Sequence, residues 1–162
     1  LKVAKKFDKN DKLFIKIFGD GVELETLKSY KKINKISNVK FYGKISKNNI
    51  YKEYKKSDAL YLSLAKNKFL NYTIPAKLQT YFSIEKPIIA SGGGEIQKII
   101  KEAKVGYCSK PENVNLLYQN INKMINCDKK KLKKFKNASR KFYNKNFKNE
   151  IISNKLIKII LK

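Results

Sequence analysis

Short apolar runs alternate with amphipathic stretches over the first two thirds of the chain. The apolar runs predict five β-strands, at residues 14–18, 39–42, 59–64, 87–90 and 105–108. The stretches between them predict helices at residues 22–36, 47–55, 76–83 and 95–103. Strands that are apolar throughout and separated by helices are typical of a parallel sheet covered on both faces. We therefore predict an α/β domain with a parallel sheet of about five strands.

The pattern becomes purely helical after Pro111, with helices predicted at residues 115–125, 129–143 and 150–161. No internal repeat or flexible linker interrupts the chain, which predicts that residues 1–162 form a single domain. The residues after Leu1 resemble the end of a helix, so we expect a fragment of a longer protein.

The segment 72–91 carries the strongest functional signal. It reads as a loop, a helix opened by Pro75, a break at Glu85 and a buried strand. Proline is well suited to the start of a helix, because its missing N–H would have no intrahelical partner there. The free N–H groups and the dipole at such a helix start favour an anion such as phosphate. In open parallel sheets, ligands bind at this kind of strand–loop–helix junction.

The chain is extremely basic, with a formal net charge of +25 in 162 residues. Of its 38 basic residues only Arg140 is an arginine, whereas nucleic-acid surfaces favour the bidentate contacts that arginine makes. Lysine, asparagine and isoleucine all have A/T-rich codons, which favours a compositional origin of the charge. A basic α/β module that binds nucleic acid stays open as an alternative, and it requires a continuous basic face with aromatic platforms.

Several classes of site are disfavoured by the composition. Cys108 and Cys127 stand alone and the chain has no histidine, so neither a zinc site nor a histidine-based catalytic triad is expected. Two isolated cysteines are typical of reduced thiols in a cytoplasmic protein. No run approaches the ~20 apolar residues that a membrane-spanning helix needs.

Motifs in a fixed order resemble the C-terminal half of a GT-B fold glycosyltransferase of the large retaining group 1, also called family 4. They are Phe-Gly-Asp-Gly at 18–21, Asn-Val-Lys-Phe-Tyr-Gly at 38–43, Ser-Asp-Ala-Leu at 57–60, Pro-Ala-Lys-Leu-Gln-Thr-Tyr at 75–81, Lys-Pro-Ile-Ile-Ala at 86–90 and Gly106. Each motif alone is weak, but the order and spacing are jointly specific. The resemblance implies a Rossmann-like, nucleotide-sugar-binding half of a GT-B fold.

The resemblance also implies which residues contact the donor. Lys44 and Ile45 would hold the base, through backbone groups and with Ile45 against the ring. Tyr72, Thr73 and Ile74 would wrap the diphosphate, through the backbone N–H groups of Thr73 and Ile74. An ordinary strand-to-helix turn and an ordinary proline-started helix are the alternatives for these two segments.

Three residues on the following helix complete the predicted donor site. Lys77 would neutralise a phosphate or be one of many surface lysines. Thr80 would hydrogen-bond the ribose or the sugar, or simply pack. Tyr81 would reach the donor or belong to the core. The glycines at 92–94 would let the backbone approach the sugar or form a loose turn.

Two departures from the family pattern bear on catalysis. Many members carry two carboxylates eight positions apart, where this chain has Tyr72 and Thr80. A subset that includes transferases of N-acetylated deoxysugars has a small hydroxyl residue at the second position, and this chain resembles that subset. An arginine and a lysine that grip the diphosphate lie on a first strand, which would precede Leu1 together with the acceptor domain. Catalytic residues therefore stay unassigned, and the fragment by itself is expected to be inactive.

The resemblance implies transfer of a sugar from a nucleoside-diphosphate donor, most simply a UDP-sugar, in bacterial surface polysaccharide or lipopolysaccharide synthesis. No metal or other cofactor is expected. The expected partners are the donor, the N-terminal acceptor domain and, through the basic amphipathic helix 150–161, an anionic membrane. Packing of that helix within the enzyme is the alternative. The expected location is the cytoplasm, with a peripheral position at the membrane as an option. A catalytically empty relic is the competing hypothesis.

Overall fold

The structure is a computed structural model that describes residues 1–7 and 12–161. Its strands are β1 (Ile15–Ile17), β2 (Val39–Phe41), β3 (Leu60–Ser63), β4 (Ile88–Ser91) and β5 (Gly106–Ser109). Its α-helices are α1 (Lys2–Lys6), α2 (Leu24–Ile33), α3 (Lys47–Lys56), α4 (Ala76–Ile84), α5 (Gly94–Ala103), α6 (Val114–Ile125), α7 (Lys129–Asn146) and α8 (Asn149–Ile160). A short 3-10 helix spans Phe69–Tyr72.

All five predicted strands form and all their pairings are parallel, which confirms the α/β fold class. The strands make two sheets rather than one, with β1 paired to β2 and with β3, β4 and β5 side by side in that order. Ile15 lies opposite Val39 in the smaller sheet, and Leu60 lies opposite Ile88 in the larger one.

Among the described residues, β1 and β3 are edge strands, each paired on one side only, β1 with β2 and β3 with β4. The Leu60 N–H donates to the carbonyl of Pro87, just before β4, and the Leu64 N–H donates to the carbonyl of Ser91, the last residue of β4. Tyr61 and Ser63 therefore direct their N–H groups away from β4. In β1, Ile15 and Ile17 face β2, so the backbone of Lys16 points to the other side. Within the described residues no backbone hydrogen bond joins β1 to β3.

The strand β4 organises the main core, because all four of its residues are buried. Ile88 and Ala90 pack with residues of α4 and α5, while Ile89 packs on the opposite face with residues of α1 and α6. A strand covered on both faces in this way is the arrangement expected in the middle of a parallel sheet.

Helix α1 touches the cores of both sheets. Ala4 packs with Ile36 and Val39 beside β1 and β2, whereas Val3 and Phe7 pack in the cluster that contains Ile89 of β4. The Asn38 side chain donates to the Ala4 carbonyl at 3.0 Å. This helix therefore connects two sheets that share no backbone hydrogen bond in the described part of the chain.

Two local features differ from the sequence predictions. Val22, predicted to open the apolar stripe of a helix, is 100% exposed and precedes α2, which begins at Leu24. Gly21 accepts the first hydrogen bond of this turn from Leu24, so the chain is still turning at Val22. A 3-10 helix at Phe69–Tyr72 precedes and overlaps the predicted loop, which begins at Tyr72; so short a segment carries no helical period.

Two contacts attach α7 and the segment after it to α4. The Phe82 ring stacks on Phe142 with centroids 4.9 Å apart and also meets Phe147 at 5.6 Å. Glu85 ends α4 in a left-handed conformation with φ of 61°, and both of its carboxylate oxygens accept from Arg140, at 2.6 and 2.7 Å. The sole arginine of the sequence is therefore used in a bidentate ion pair.

Replacing this arginine should weaken the fold in a pH-dependent way. The Arg140 hydrogen bonds lower the pKa of Glu85 from its ordinary value of 4.5, so the ionised pair stabilises the folded state above that pH. The contribution is lost as the pH falls through the lowered pKa. We expect Arg140→Gln to lower the thermal midpoint modestly at about pH 7 and much less at about pH 3. Thermal unfolding of both proteins at the two pH values measures this, and an equal loss at both would contradict it.

Candidate donor-binding site

The loops that follow the strands lie at the carboxyl ends of those strands, which is where ligands bind in open α/β folds. The loop between β3 and α4 is the longest of them. Its 3-10 helix begins where the Phe69 N–H donates to the Asn67 side chain at 2.8 Å. The Tyr72 side chain is 84% exposed, and Ile74 is exposed beside it.

The amide groups predicted to wrap a diphosphate are not equivalent. The Thr73 N–H donates to the Leu70 carbonyl at 3.3 Å, and its hydroxyl donates to the Phe69 carbonyl at 3.2 Å. The Ile74 N–H has no hydrogen-bond partner among the described residues. In this conformation an anion would therefore meet the Ile74 amide more readily than the Thr73 amide.

The helix α4 offers an uncapped N-terminus next to this loop. Pro75 is the N-cap, with extended backbone angles, and it has no side-chain hydrogen bond to offer. The first intrahelical bond runs from the Leu78 N–H to the Pro75 carbonyl at 2.8 Å. The N–H groups of Ala76 and Lys77 therefore keep their donor capacity, and the Lys77 side chain is exposed beside them. These two N–H groups and the Lys77 ammonium group attract anions, and we call them the cationic mouth of α4.

The other two residues predicted on α4 already have partners within the protein. Thr80 is partly buried, and its hydroxyl lies 3.5 Å from the Ala76 carbonyl one turn back. Tyr81 is buried, its hydroxyl donates to the Tyr61 carbonyl at 3.1 Å, and its ring meets Tyr54 edge-on at 5.3 Å. This burial raises the pKa of the Tyr81 phenol well above its ordinary value. A role for either hydroxyl in donor binding stays a prediction.

The turn after β2 is built around Gly43, whose φ of +68° suits glycine. Lys44 is exposed and its ammonium group lies 3.8 Å from Asp20 in the turn after β1. Ile45 is partly buried, and Ser46 caps α3 by accepting from the Asn49 N–H at 3.4 Å. Lys44 and Ile45 thus lie at the end of the smaller sheet. Among the described residues no hydrogen bond or ion pair connects them to the Tyr72–Tyr81 segment.

The loop after β3 is fixed by a contact that we did not predict from the sequence. Asn71 packs against the start of α5, at Gly93 and Gly94. A Cβ at Gly93 would come within 2.5 Å of the Asn71 side-chain oxygen, and one at Gly94 would overlap the Asn71 backbone. These glycines are thus needed for loop packing, and the close approach they permit here is to protein. No signal in the sequence singles out Asn71.

A second contact that we did not predict from the sequence lies at the carboxyl ends of β1 and β2. The Phe18 and Tyr42 rings stack with centroids 4.9 Å apart, immediately before the Gly19 and Gly43 turns. The ammonium group of Lys40 lies 5.1 Å from the Tyr42 ring centre. This stack holds the ends of the two strands together and thereby positions the turn that carries Lys44 and Ile45.

The described residues contain no group of three cysteine, histidine or carboxylate side chains arranged to hold a metal ion. In the same part of the chain, no helix combines the length and the apolar character that crossing a bilayer requires.

Known structures share this fold. A glycosyltransferase from Rickettsia africae superposes with a TM-score of 0.80 at 18% identity, over 98% of this chain and 41% of that one. A sucrose-phosphate synthase from Thermosynechococcus elongatus gives 0.74 at 16%, over 98% and 40%. WaaG, a glycosyltransferase involved in lipopolysaccharide biosynthesis, gives 0.66 at 13%, over 90% and 38%. The chain therefore spans about two fifths of the length of these proteins.

A comparison with curated protein sequences gives no match. The sequence model of the glycosyl transferases group 1 does match, over residues 1–142. That range contains both sheets and the whole of the segment from Tyr72 to Tyr81. Together with the fold, this match shows that the chain belongs to the glycosyl transferases group 1 family.

Proposed function

We propose that this chain is the donor-binding half of a retaining glycosyltransferase that uses a nucleoside-diphosphate sugar, with UDP as the nucleotide. The observation that carries the proposal is the cationic mouth of α4. In a chain of this family, an uncapped helix N-terminus lies beside the exposed Lys77, at the carboxyl edge of the larger sheet. Ligands of open α/β sheets bind at this edge.

The proposed chemistry depends on the leaving group. Transfer of the sugar releases a nucleoside diphosphate, so negative charge grows on the diphosphate as the glycosidic bond breaks. Donors already directed at that position stabilise the charge without reorganisation. The N–H groups of Ile74, Ala76 and Lys77 and the Lys77 ammonium group are the donors that this chain offers. No metal ion is needed for this role.

The groups that complete catalysis would come from outside the donor site of this chain. Tyr72 and Thr80 occupy the positions where many family members carry carboxylates, and neither can act as a carboxylate acid or base. The acceptor domain would supply the acceptor hydroxyl and the second wall of the cleft. We therefore expect the chain alone to bind the donor but not to turn it over.

The acceptor is proposed to be a glycan or a lipid-linked glycan of bacterial surface polysaccharide, at the cytoplasmic side of the membrane. WaaG, to which the fold is similar, is described as acting in lipopolysaccharide biosynthesis, and this motivates the proposal. Helix α8 exposes Ile152, Leu156, Ile159 and Ile160 along one stripe. We propose that this stripe packs against the acceptor domain, and contact with an anionic membrane is the alternative.

The split sheet supports a further part of the proposal, namely that a strand preceding α1 lies between β1 and β3. In a doubly wound sheet with strand order 3-2-1-4-5-6, the first strand separates the second from the fourth. Here β1 and β3 would be those neighbours, and each has a free edge. A right-handed crossover through α1 would bring the preceding strand next to β1, and α1 already packs on the cores of both sheets.

The function is tested by calorimetric titration of the chain with UDP, GDP and inorganic pyrophosphate in about 0.15 M salt. We expect saturable binding of UDP that is tighter than binding of GDP, because the turn after β2 would hold the base edge. Equal binding of all three anions would mean that dispersed lysine charge is responsible. Absence of UDP binding would contradict the donor site in this chain.

Matched variants assign the diphosphate contact. Loss of one charge-assisted hydrogen bond weakens binding roughly tenfold, so Lys77→Ala should raise the dissociation constant for UDP by about that factor. Lys101→Ala removes an equally exposed lysine from α5 and should leave it unchanged. Tyr81→Phe should also bind normally, because the Tyr81 hydroxyl is buried and already donates to the Tyr61 carbonyl. Equal losses in the two lysine variants would remove Lys77 from the site.

Amide hydrogen exchange tests the proposed strand. In this chain the amides of Lys16, Tyr61 and Ser63 should exchange much faster than those of Ile17 and Leu62, whose backbones face a paired strand. In the product of the complete reading frame the three fast amides should become protected. If a longer product leaves them fast, or if no longer reading frame exists, the proposal is wrong.

A further inference from the structure

A basic groove lies at the outer edge of the smaller sheet, between α2 and β2. It encloses about 460 Å³, and its apolar lining residues are Ile36 and Phe41. The remaining lining residues are all lysines: Lys28, Lys31, Lys32, Lys35 and Lys40. We call these five the groove lysines.

The groove lysines converge because of local structure as well as composition. Lys28, Lys31 and Lys32 are three and four residues apart on α2, so their side chains share one face of the helix. The chain then reverses at Lys35, which adopts a left-handed conformation with φ of 51°, a position that glycine usually fills at the end of a helix. The Ile36 N–H donates back to the Lys31 carbonyl at 3.0 Å. This reversal directs the chain into β2, where Lys40 completes the groove.

The positive charge of the groove is poorly compensated by the protein. Among the described residues, Glu25 is the only carboxylate paired with a groove lysine, through Lys28 at 2.7 Å. Lys40 lies over the Tyr42 ring instead. Like charges one helical turn apart destabilise a helix slightly, and the arrangement therefore costs free energy unless an anion neutralises it.

The groove is separate from the proposed donor site. Lys35 and Ile36 precede the amino end of β2, whereas the turn that carries Lys44 and Ile45 follows its carboxyl end. The cationic mouth of α4 belongs to the other sheet. Binding in the groove therefore does not depend on the proposed function.

We propose that this groove is a second anion-binding site, for a molecule that carries two or more phosphate groups. Lysine ammonium groups act as flexible point charges, so several of them suit a chain of tetrahedral phosphates without demanding one fixed geometry. The opening of the groove has the partly buried Phe41 in its lining, where an apolar part of the ligand would find contact, whereas Ile36 is buried beneath it. The phosphates belong either to a free polyphosphate anion or to the headgroups of an anionic lipid surface.

The test compares two triple variants that remove the same charge. Lys31→Gln/Lys32→Gln/Lys35→Gln removes three of the five charges of the groove lysines, and glutamine keeps an unbranched polar side chain and most of the helix propensity. Lys129→Gln/Lys133→Gln/Lys136→Gln removes three exposed lysines from one face of α7. Circular dichroism confirms that each variant is folded.

The free anion is inorganic triphosphate, titrated by calorimetry in about 0.15 M salt, and the lipid surface is a phosphatidylglycerol vesicle, tested by co-sedimentation. We expect the groove variant to lose roughly tenfold in affinity in one of these assays, while the α7 variant loses less than about twofold there. The assay that shows the local loss identifies the source of the phosphates. Equal losses in both triple variants, or no loss in the groove variant in either assay, overturn the proposal.

Discussion

The burial of β4 on both faces is the constraint on which the rest of the structure depends. Ile88 and Ala90 need an apolar cover on one side and Ile89 needs one on the other. The crossover from β3 must therefore carry α4 over the first face, and this fixes the long loop that precedes Pro75 at the carboxyl edge. The cationic mouth of α4 follows from that geometry, since the helix has to start where the loop returns to the sheet. The position of the candidate site thus follows from the packing of β4.

The strands and the helices that cover them could be predicted from the sequence, because buried parallel strands are continuous apolar runs and the helices between them have a clear period. It predicted the positions of all five strands and of the helices, with small differences at their ends. It failed at Val22, where an apolar residue stands in an exposed turn and mimics a helix stripe. The pattern of apolar runs predicted one sheet of about five strands, whereas the strands form two sheets. Pairing between strands depends on contacts that are distant in the chain, and strand β3 has the same apolar pattern with or without a second neighbour.

The candidate site was predicted only as a set of segments. The Tyr72–Lys77 stretch could be found because proline, an aromatic loop and a lysine form a local pattern that resembles the family motif. The side-chain partners could not be found in this way. Tyr81 donates to a carbonyl twenty residues earlier, and Asn71 needs the glycines at 93 and 94, so both depend on how loops fold back on strands. Contacts between residues distant in the chain decide which predicted side chains are available to a ligand, and only the three-dimensional structure shows them.

The single arginine and the many lysines of this chain have different roles. The one arginine is used by the fold, in a bidentate pair that ties α4 to α7, and no arginine is available to grip a phosphate. Any cation that holds an anion in this chain is therefore a lysine, whose flexible ammonium group attracts phosphate without recognising its orientation. Selectivity for one anion has to come from shape and from the base of a nucleotide rather than from charge. A helix mouth with few cations and a defined backbone fits a selective role, whereas a groove with five lysines fits tolerant binding of several phosphates.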